Sequence, residues 1–277
     1  MSNRKRVMIT GANSYIGDAV KSYLEQYPEY TADVISTNKL EPAPELFCSY
    51  DVVFNVAGIV HMKEKEENKH LYYEVNRDLV INIAKAAKKS GAKQFILLSS
   101  MSVYGKNIGH ITKKTVPKPV NAYGESKLDA DMEVQKLEDK DFKVACLRPP
   151  MVYGKGCKGN YQKLRKIALN FPVFPNYVNQ RSMIYIGNLC EFIKKVIDEE
   201  KSGLFFPQNA KYVNTAEMVR LIAQVNNVRI STTSIFNWAI KIAPMNMVKK
   251  AFGSLTYELV DTVEKYNFTD SIKLTEK

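Results

Sequence analysis

The sequence predicts an α/β fold, a doubly wound parallel sheet with a smaller C-terminal lobe, on three observations. Short apolar runs alternate with stretches of helical periodicity through the first 150 residues. Those runs are apolar at nearly every position rather than at every second one, the pattern of parallel strands covered on both faces. After Pro149 and Pro150 the alternation gives way to an irregular region.

In order along the chain, RVMIT reads as the first strand, and a helix from about Tyr15 to Tyr27 follows, stopped by Pro28. ADVIST and DVVFNVAG read as strands, then a helix around 70–90, the strand KQFILLSS, a helix over about 123–138 and the strand KVACLRP. Residues 1–150 are thereby expected to form a nucleotide-binding domain. Residues 151–277, with helical stretches near 187–199 and 214–226, are expected to form a substrate-binding lobe with segments returning to the sheet. Open α/β sheets take ligands outside the carboxyl ends of their strands. The chain has no internal repeat and no low-complexity tract.

At 277 residues and 45% hydrophobic content, the chain can bury one large core or two closely joined ones. Its apolar runs fall short of the roughly 18 residues that a membrane-spanning helix requires. The opening MSNRKR is too brief and too quickly polar for a secretion signal, so a cytoplasmic protein is expected. Cys48, Cys146, Cys157 and Cys190 are widely spaced and make no metal-ligand pattern with the three histidines. No metal is expected, and the thiols read as buried or idle groups of a reducing compartment.

Forty basic against 29 acidic residues leave a formal charge of +11, which attracts nucleic acids, anionic lipids or phosphate-bearing small molecules. The lysines are scattered, without an aromatic-interleaved basic stripe, and nucleic acid is not expected as a partner. Residues 231–253 combine Trp238 with Ile, Met and Phe and end in Lys249 and Lys250, a composition that suits an anionic membrane. Pro244 breaks that segment, and two short helices packed on the lobe account for it as well; no membrane association is expected.

The segment VMITGANSYIG sets Gly11 and Gly17 after an apolar strand and at the mouth of a helix. Backbone amides and the helix dipole favour a pyrophosphate there, although two glycines six apart also make an ordinary tight turn. The next strand ends in Ser36, Thr37, Asn38 and Lys39 instead of the carboxylate that would accept from a ribose 2′-hydroxyl. A hydroxyl pair with a nearby ammonium suits a 2′-phosphate, whereas a solvated loop lysine is the alternative. The cofactor is accordingly expected to be NAD or NADP.

Tyr123 and Lys127, in AYGESKLDA, lie four apart on one helix face and can converge on one substrate. A tyrosine with a pKa near 10 is a poor base at neutral pH, but a close ammonium and an oxidised nicotinamide both favour phenolate. Ser100, in LLSSMSVYG, ends the preceding strand, where its hydroxyl could hold a reacting oxygen; Ser99 and Ser102 compete for that part. His61, just past NVAG, is either a proton carrier facing the substrate or a structural hydrogen-bonder.

These residues resemble the extended short-chain dehydrogenase/reductases, the NAD-dependent epimerase/dehydratase family of nucleotide-sugar enzymes that includes the UDP-glucose 4-epimerase-like group. TGANSYIG resembles the T-G-x-x-G-x-x-G turn, with Ser14 in place of the middle glycine, and LLSSMSVYG and YGESK match S-S-x-x-V-Y-G and Y-x-x-x-K. The resemblance implies a Rossmann-type fold and a catalytic triad of Ser100, Tyr123 and Lys127. It implies cofactor contacts at Gly11, Asn13, Ser14, Tyr15, Ile16, Gly17, Thr37, Asn38, Lys39, Val56, Ala57, Gly58, Asn76 and Pro149.

LRPPMVYGKG resembles L-R-P-x-N-V-Y-G-P-G, with Met151 where the family's asparagine contacts the substrate diphosphate. QRSMIYIGNL resembles R-x-[FY]-I-H-V-x-D, which makes Arg181 a candidate for that diphosphate and sets Asn188 in place of the aspartate. Substrate contacts are implied at His61, Ser100, Met101, Asn160 and Arg181, and Lys155 and Lys158 lie in a loop within reach of phosphates or of solvent. The resemblance implies a 4-epimerase acting at carbon 4 of a UDP- or dTDP-hexose, in the synthesis of surface-polysaccharide precursors. An NADPH-dependent reductase of a 4-keto sugar nucleotide is the second expectation, favoured by Lys39 and by the roughly dozen residues between ADVIST and DVVFNVAG. A non-catalytic NAD(P) sensor or scaffold is a third, against which Tyr123 and Lys127 speak. A homodimer through the helices near 70–90 and 123–138 is implied by the resemblance alone.

Overall fold

The computed structural model describes residues 4–38, 40–60, 62, 64–235, 237 and 252–277. The chain opens with β1 (Lys5–Thr10), α1 (Tyr15–Leu24), β2 (Tyr30–Ile35) and β3 (Val52–Asn55). Then come α2 (Lys69–Tyr73), a π turn over Glu74–Asp78, α3 (Leu79–Lys89), β4 (Gln94–Leu98) and a 3-10 turn over Met101–Tyr104. They are followed by β5 (Gly109–Ile111), α4 (Ala122–Gln135), β6 (Lys143–Leu147), β7 (Met151–Tyr153) and α5 (Asn160–Asn170). The remainder comprises β8 (Val173–Pro175), β9 (Met183–Tyr185), α6 (Ile186–Asp198), β10 (Gly203–Phe205) and β11 (Gln208–Asn209). The last elements described are α7 (Thr215–Val225), β12 (Ser231–Thr233), β13 (Leu255–Tyr257), β14 (Thr262–Val263) and α8 (Phe268–Glu276).

The chain folds into two compact units. The first comprises Met1–Gly105, Pro117–Pro149 and Cys190–Phe206, and the second Lys106–Val116, Pro150–Leu189 and Pro207–Lys277. The first unit carries a parallel sheet of six strands in the order β10-β6-β4-β3-β1-β2. Val7, Ile9, Val53, Phe54, Phe95 and Ile96 are fully buried, so both faces of the central strands are covered, as their unbroken apolar sequences require. Met8, Val53, Phe95, Leu97, Val144 and Cys146 pack with Val80, Ile83 and Ala87 of α3 and Ala130 and Val134 of α4. On the other face, Tyr23 of α1 donates to Glu191 of α6, and Gln94 donates to the carbonyl of Val196 at 3.0 Å.

The order of strands reverses at β1, which lies between β2 and β3; an open sheet of this kind binds its ligands at that point, beyond the carboxyl ends of the strands. Register brings those ends level: Thr10 lies opposite Asn55, Asn55 opposite Leu97, and Leu98 opposite Leu147.

The second unit is built from two-stranded parallel pairs, β7 with β9, β8 with β12, β5 with β13 and β11 with β14, and from α5, α7 and α8. The buried Glu276 carboxylate ties its three helices together. It accepts from Tyr161 Oη and Arg165 Nε of α5 and from Asn226 Nδ2 at the end of α7, each at 2.7 Å. Of residues 231–253, all of 238–251 and residue 236 lie outside the described residues, which leaves the two packing expectations for that segment without structural description. Among the described residues no helix is long and apolar enough to cross a membrane.

Phe95 is fully buried between the sheet and its helices. Phe95→Ala is expected to lower stability by about 3–5 kcal/mol, from lost burial and a cavity that the sheet cannot close; urea unfolding followed by circular dichroism measures it.

Candidate functional site

The turn after β1 is shaped by what lies beneath it. Thr10 donates its hydroxyl to Asn55 Oδ1 at 2.7 Å and so fastens the end of β1 to the end of β3. Gly11 follows at φ +106°, and a Cβ there would sit 3.0 Å from both N and Cα of Ala57. Asn13 takes φ +62°, a left-handed conformation that asparagine tolerates. Ser14 is the N-cap of α1, its Oγ accepting from the amide of Gly17 at 3.0 Å. The serine at the motif's glycine position thus secures the helix start, and a Cβ on Gly17 would lie 2.5 Å from that same oxygen.

Tyr15 and Ile16 open the first turn of α1, where amides lack helical acceptors and the dipole is positive. A turn stripped of side chains at Gly11 and Gly17 and pressed on Val56 and Ala57 fits the pyrophosphate of NAD or NADP.

At the end of β2, Ser36 Oγ accepts from the amide of Asn38 at 3.2 Å, and Thr37 accepts from the amide of Leu40 at 3.3 Å. Lys39 lies outside the described residues, as does His61.

Ser100, Tyr123 and Lys127 meet at the carboxyl ends of β4 and β3. Asn121 caps α4, its Oδ1 accepting from Gly124 at 2.8 Å, and Glu64 Oε2 accepts from the amide of Ala122 at 3.0 Å, so the start of the helix bearing Tyr123 is held twice. Tyr123 is half-buried; its ring meets the edge of Tyr72 at 6.4 Å, and its phenol hydrogen-bonds Ser100. Burial pushes that phenol above its usual pKa, the Ser100 hydrogen bond draws it down, and Tyr72 adds a smaller upward push.

Lys127 is only 3% exposed and donates to the carbonyl of Leu98 at 3.0 Å. Burial lowers its pKa to about 8, although the nearby Asp131 carboxylate works in the opposite direction. Gly58 lets the ammonium approach the chain: a Cβ there would lie 3.0 Å from Lys127 Nζ and 2.9 Å from Asn76 Oδ1. Asn76, buried in the π turn, accepts from the amide of Ile59 at 2.7 Å and donates to its carbonyl at 3.1 Å.

The three serines of LLSSMS are separated by their partners. Ser99 turns inward and donates to Asp131 at 3.0 Å, and Ser102 gives its amide to Ser100 Oγ at 3.1 Å, which leaves Ser100 as the serine on the tyrosine. Met101 donates its amide to the carbonyl of Pro149 at 3.0 Å, which brings those two together at the end of β6.

Arg181, Asn160, Lys155, Lys158 and Met151 belong to the second unit. Arg181 is half-buried and donates to the carbonyl of Gly253 at 2.8 Å; among the described residues no carboxylate pairs with it, and burial lowers its pKa. Asn160 begins α5 and is exposed, as are Lys155 and Lys158, while Met151 sits in β7 opposite Met183. Asn188, where the family has aspartate, is fully buried. It donates to Asn209 Oδ1 and to the carbonyl of Tyr266, each at 2.9 Å, and accepts from the amide of Tyr266 at 2.9 Å; an amide serves all three and a carboxylate could not donate.

Sequence reasoning missed Glu64, Tyr72 and the buried pair Asp131–Arg148, whose Oδ2 and Nε lie 2.7 Å apart. The available signals were the i, i+4 spacing of Lys127 and Asp131 and the arginine in LRPP. Glu64 and Tyr72 carried none.

A family model described as the NAD dependent epimerase/dehydratase family matches residues 7–205. The chain is 28% identical to a UDP-glucose 4-epimerase of Vibrio cholerae over 292 residues, covering 94% of this chain and 89% of that protein. Its fold is that of the UDP-glucuronic acid 4-epimerase of Bacillus cereus, solved in complex with NAD. The TM-score is 0.76 and the identity 15%, over 98% of this chain and 97% of that one. It is also similar in fold to a dTDP-4-dehydrorhamnose reductase of Bacillus anthracis in complex with NADP, with a TM-score of 0.67 and 21% identity over 85% and 86% of the two chains. The chain belongs to the NAD dependent epimerase/dehydratase family and is an NAD(P)-dependent enzyme of the short-chain dehydrogenase/reductase type.

Proposed function

We propose that this enzyme acts at carbon 4 of a hexose carried on UDP or dTDP, as a 4-epimerase. The observation that carries this reading is the meeting of Ser100, Tyr123 and Lys127 beside the glycine turn and Gly58. Tyr123 takes the proton of the sugar's 4-hydroxyl, Ser100 holds that oxygen against the phenol, and Lys127 supplies positive charge. Bound NAD or NADP supplies the hydride acceptor and donor and, when oxidised, a further positive charge.

Because burial raises the Tyr123 phenol, proton removal depends on compensating positive charge, and in this reading the Lys127 ammonium on the same helix face is assigned part of it. Gly11, Asn13, Ser14, Tyr15, Ile16, Gly17, Val56, Ala57 and Gly58 hold the dinucleotide in this reading. Thr37 and Asn38 are assigned to its adenosine end, as Lys39 is from its place in the sequence, and Asn76 and Pro149 to the nicotinamide end. The 28% identity to an epimerase over nearly the whole chain supports the substrate class.

The charge distribution supports a phosphate-bearing substrate. The second unit carries 18 basic against 6 acidic residues, whereas the first carries 22 against 23. The excess positive charge thus belongs to the unit assigned to the substrate, residues 151–277 in the main. Arg181, half-buried and with no carboxylate paired to it among the described residues, suits an anion, and His61, Ser100, Met101 and Asn160 are the other substrate contacts of this reading.

A one-way NADPH-dependent reduction of a 4-keto sugar nucleotide is the second reading. Two observations favour it: among the described residues a 3-10 turn, Pro44–Leu46, is all the helix between β2 and β3, and the sequence sets no carboxylate at the end of β2. Either reaction would feed surface-polysaccharide synthesis from the cytoplasm. The reading includes a homodimer formed through Lys69–Lys89 and α4, and light scattering at micromolar concentration should return twice the chain mass.

Denaturing the purified protein and weighing any released nicotinamide should yield NAD, with no net change at the nicotinamide absorbance band during turnover of a UDP-hexose. Stoichiometric consumption of NADPH with a UDP-4-keto sugar would instead establish the reductase. In either assay Tyr123→Phe should cut turnover by about 100-fold or more while cofactor binding persists.

Lys127 holds its proton below about 8 and releases it above, so activity that depends on the ammonium is fully present at lower pH and lost as pH rises through about 8. The alkaline limb of kcat/KM against pH should fall there, and a profile flat to pH 9.5 would remove Lys127 from the mechanism.

A further inference from the structure

Behind Lys127 lies a buried charged cluster that takes no direct part in proton transfer. Asp131, one turn further along α4, is fully buried. Its Oδ2 accepts from Arg148 Nε at 2.7 Å and from Ser99 Oγ at 3.0 Å, and its Oδ1 accepts from Gln135 Nε2 at 3.1 Å. Arg148 is 4% exposed and sends Nη1 to Tyr104 Oη at 2.7 Å, with its guanidinium 5.3 Å from that ring's centroid. One carboxylate thereby joins α4, the end of β4 one residue before Ser100, the end of β6, and, through Arg148, the 3-10 turn that follows Ser100.

Stability is a weak reason for such a cluster, because the desolvation of two buried charges roughly cancels their attraction and a well-packed apolar pair often does as well. An apolar pair could not set a negative charge one helical turn from Lys127. We propose that Asp131, held by Arg148, is a positioning residue: it fixes the strand end bearing Ser100 against the helix bearing Tyr123 and sets a carboxylate one helical turn from Lys127.

The charged and titratable groups around Lys127 bear this out. Burial of Lys127 favours the neutral amine, and Asp131 opposes it. On its own helix Lys127 has Tyr123 and Asp131; Tyr72 of α2 packs on Tyr123, and Cys146 of β6 and Arg148 just after it contact Asp131. Tyr72 and Cys146 are both raised by burial and stay protonated and neutral near pH 7, and Arg148 is a cation. Asp131 is thus the one anion in this set. β4 offers only the Leu98 carbonyl, and the π turn the neutral Asn76.

The proposal rests on the catalytic reading of Lys127 for its consequence but not for its test, which is the titration of Lys127 in the intact protein with ε-13C-lysine, followed by NMR and assigned with Lys127→Arg. In the parent the midpoint should lie near about 8. Asp131→Asn keeps an acceptor for Ser99 and Arg148 but removes the charge; the Lys127 midpoint should fall by about one to two units and the alkaline limb of turnover should move with it. Ser99→Ala leaves the charge and cuts the tie to β4, so turnover should fall several-fold with the midpoint unchanged. If Asp131→Asn does not fold, Asp131→Leu with Arg148→Met removes both charges together, and a smaller downward shift is expected, because loss of the cation offsets part of the loss of the anion. An unmoved midpoint in a folded charge-removed variant overturns the charge role, and unchanged turnover in Ser99→Ala overturns the positioning role. Absence of turnover in the parent would sink the catalytic reading and leave the titration to decide this one.

Discussion

Four parallel strands end within one residue of one another, and the candidate site is arranged along that edge. Thr10 and Asn55 finish β1 and β3 opposite each other, and Leu98 and Leu147 finish β4 and β6 opposite each other one residue further on, so the residues that follow emerge side by side. Gly11 therefore lies on Ala57, Gly58 lies under the Lys127 ammonium, and Met101 reaches the carbonyl of Pro149. A one-residue slip in any of these pairings would exchange the side chains packed on the sheet's two faces and move the strand's terminal residue to the other face. The buried faces of the sheet, by enforcing register, align the chemistry at its edge.

Burial then sets the electrostatics. Exposed pairs such as Lys136–Glu133 contribute at most about 1 kcal/mol, since water screens them. Inside the first unit the same charges matter more, because water is scarce. Lys127 is drawn toward neutrality by burial, and Tyr123 is drawn toward its protonated form by the same cause. Both shifts oppose the phenolate–ammonium pair that the proposed proton abstraction needs, which is why the proposed role of Asp131 and Arg148 is electrostatic as well as positional.

Three departures from the family pattern have separate physical explanations. Ser14 replaces a glycine at no cost to the turn because its hydroxyl caps α1, while Asn13 takes the left-handed conformation. Asn188 replaces an aspartate with a group that donates twice and accepts once inside a buried cluster. Met151, at the family's asparagine position, lies in the short strand β7 opposite Met183 and brings an apolar side chain there.

The fold class was legible from sequence because alternation of apolar runs with helical periodicity is local and recurs along the first 150 residues. Tyr123 and Lys127 were legible as a pair because four residues on a helix make neighbours of any two side chains, and the glycine turn because its spacing fits a strand passing into a helix. What the sequence determined by itself was therefore local: which segments are strands, which are helices, and which side chains share one turn. Choosing Ser100 over Ser99 and Ser102, setting Asn76 on Ile59, and joining Asp131 to Ser99 and Arg148 all depended on residues 17 to 32 positions apart. Only the packed sheet could decide these contacts, because such partners share no local geometry and meet only when the register of the strands and the burial of α4 bring them together.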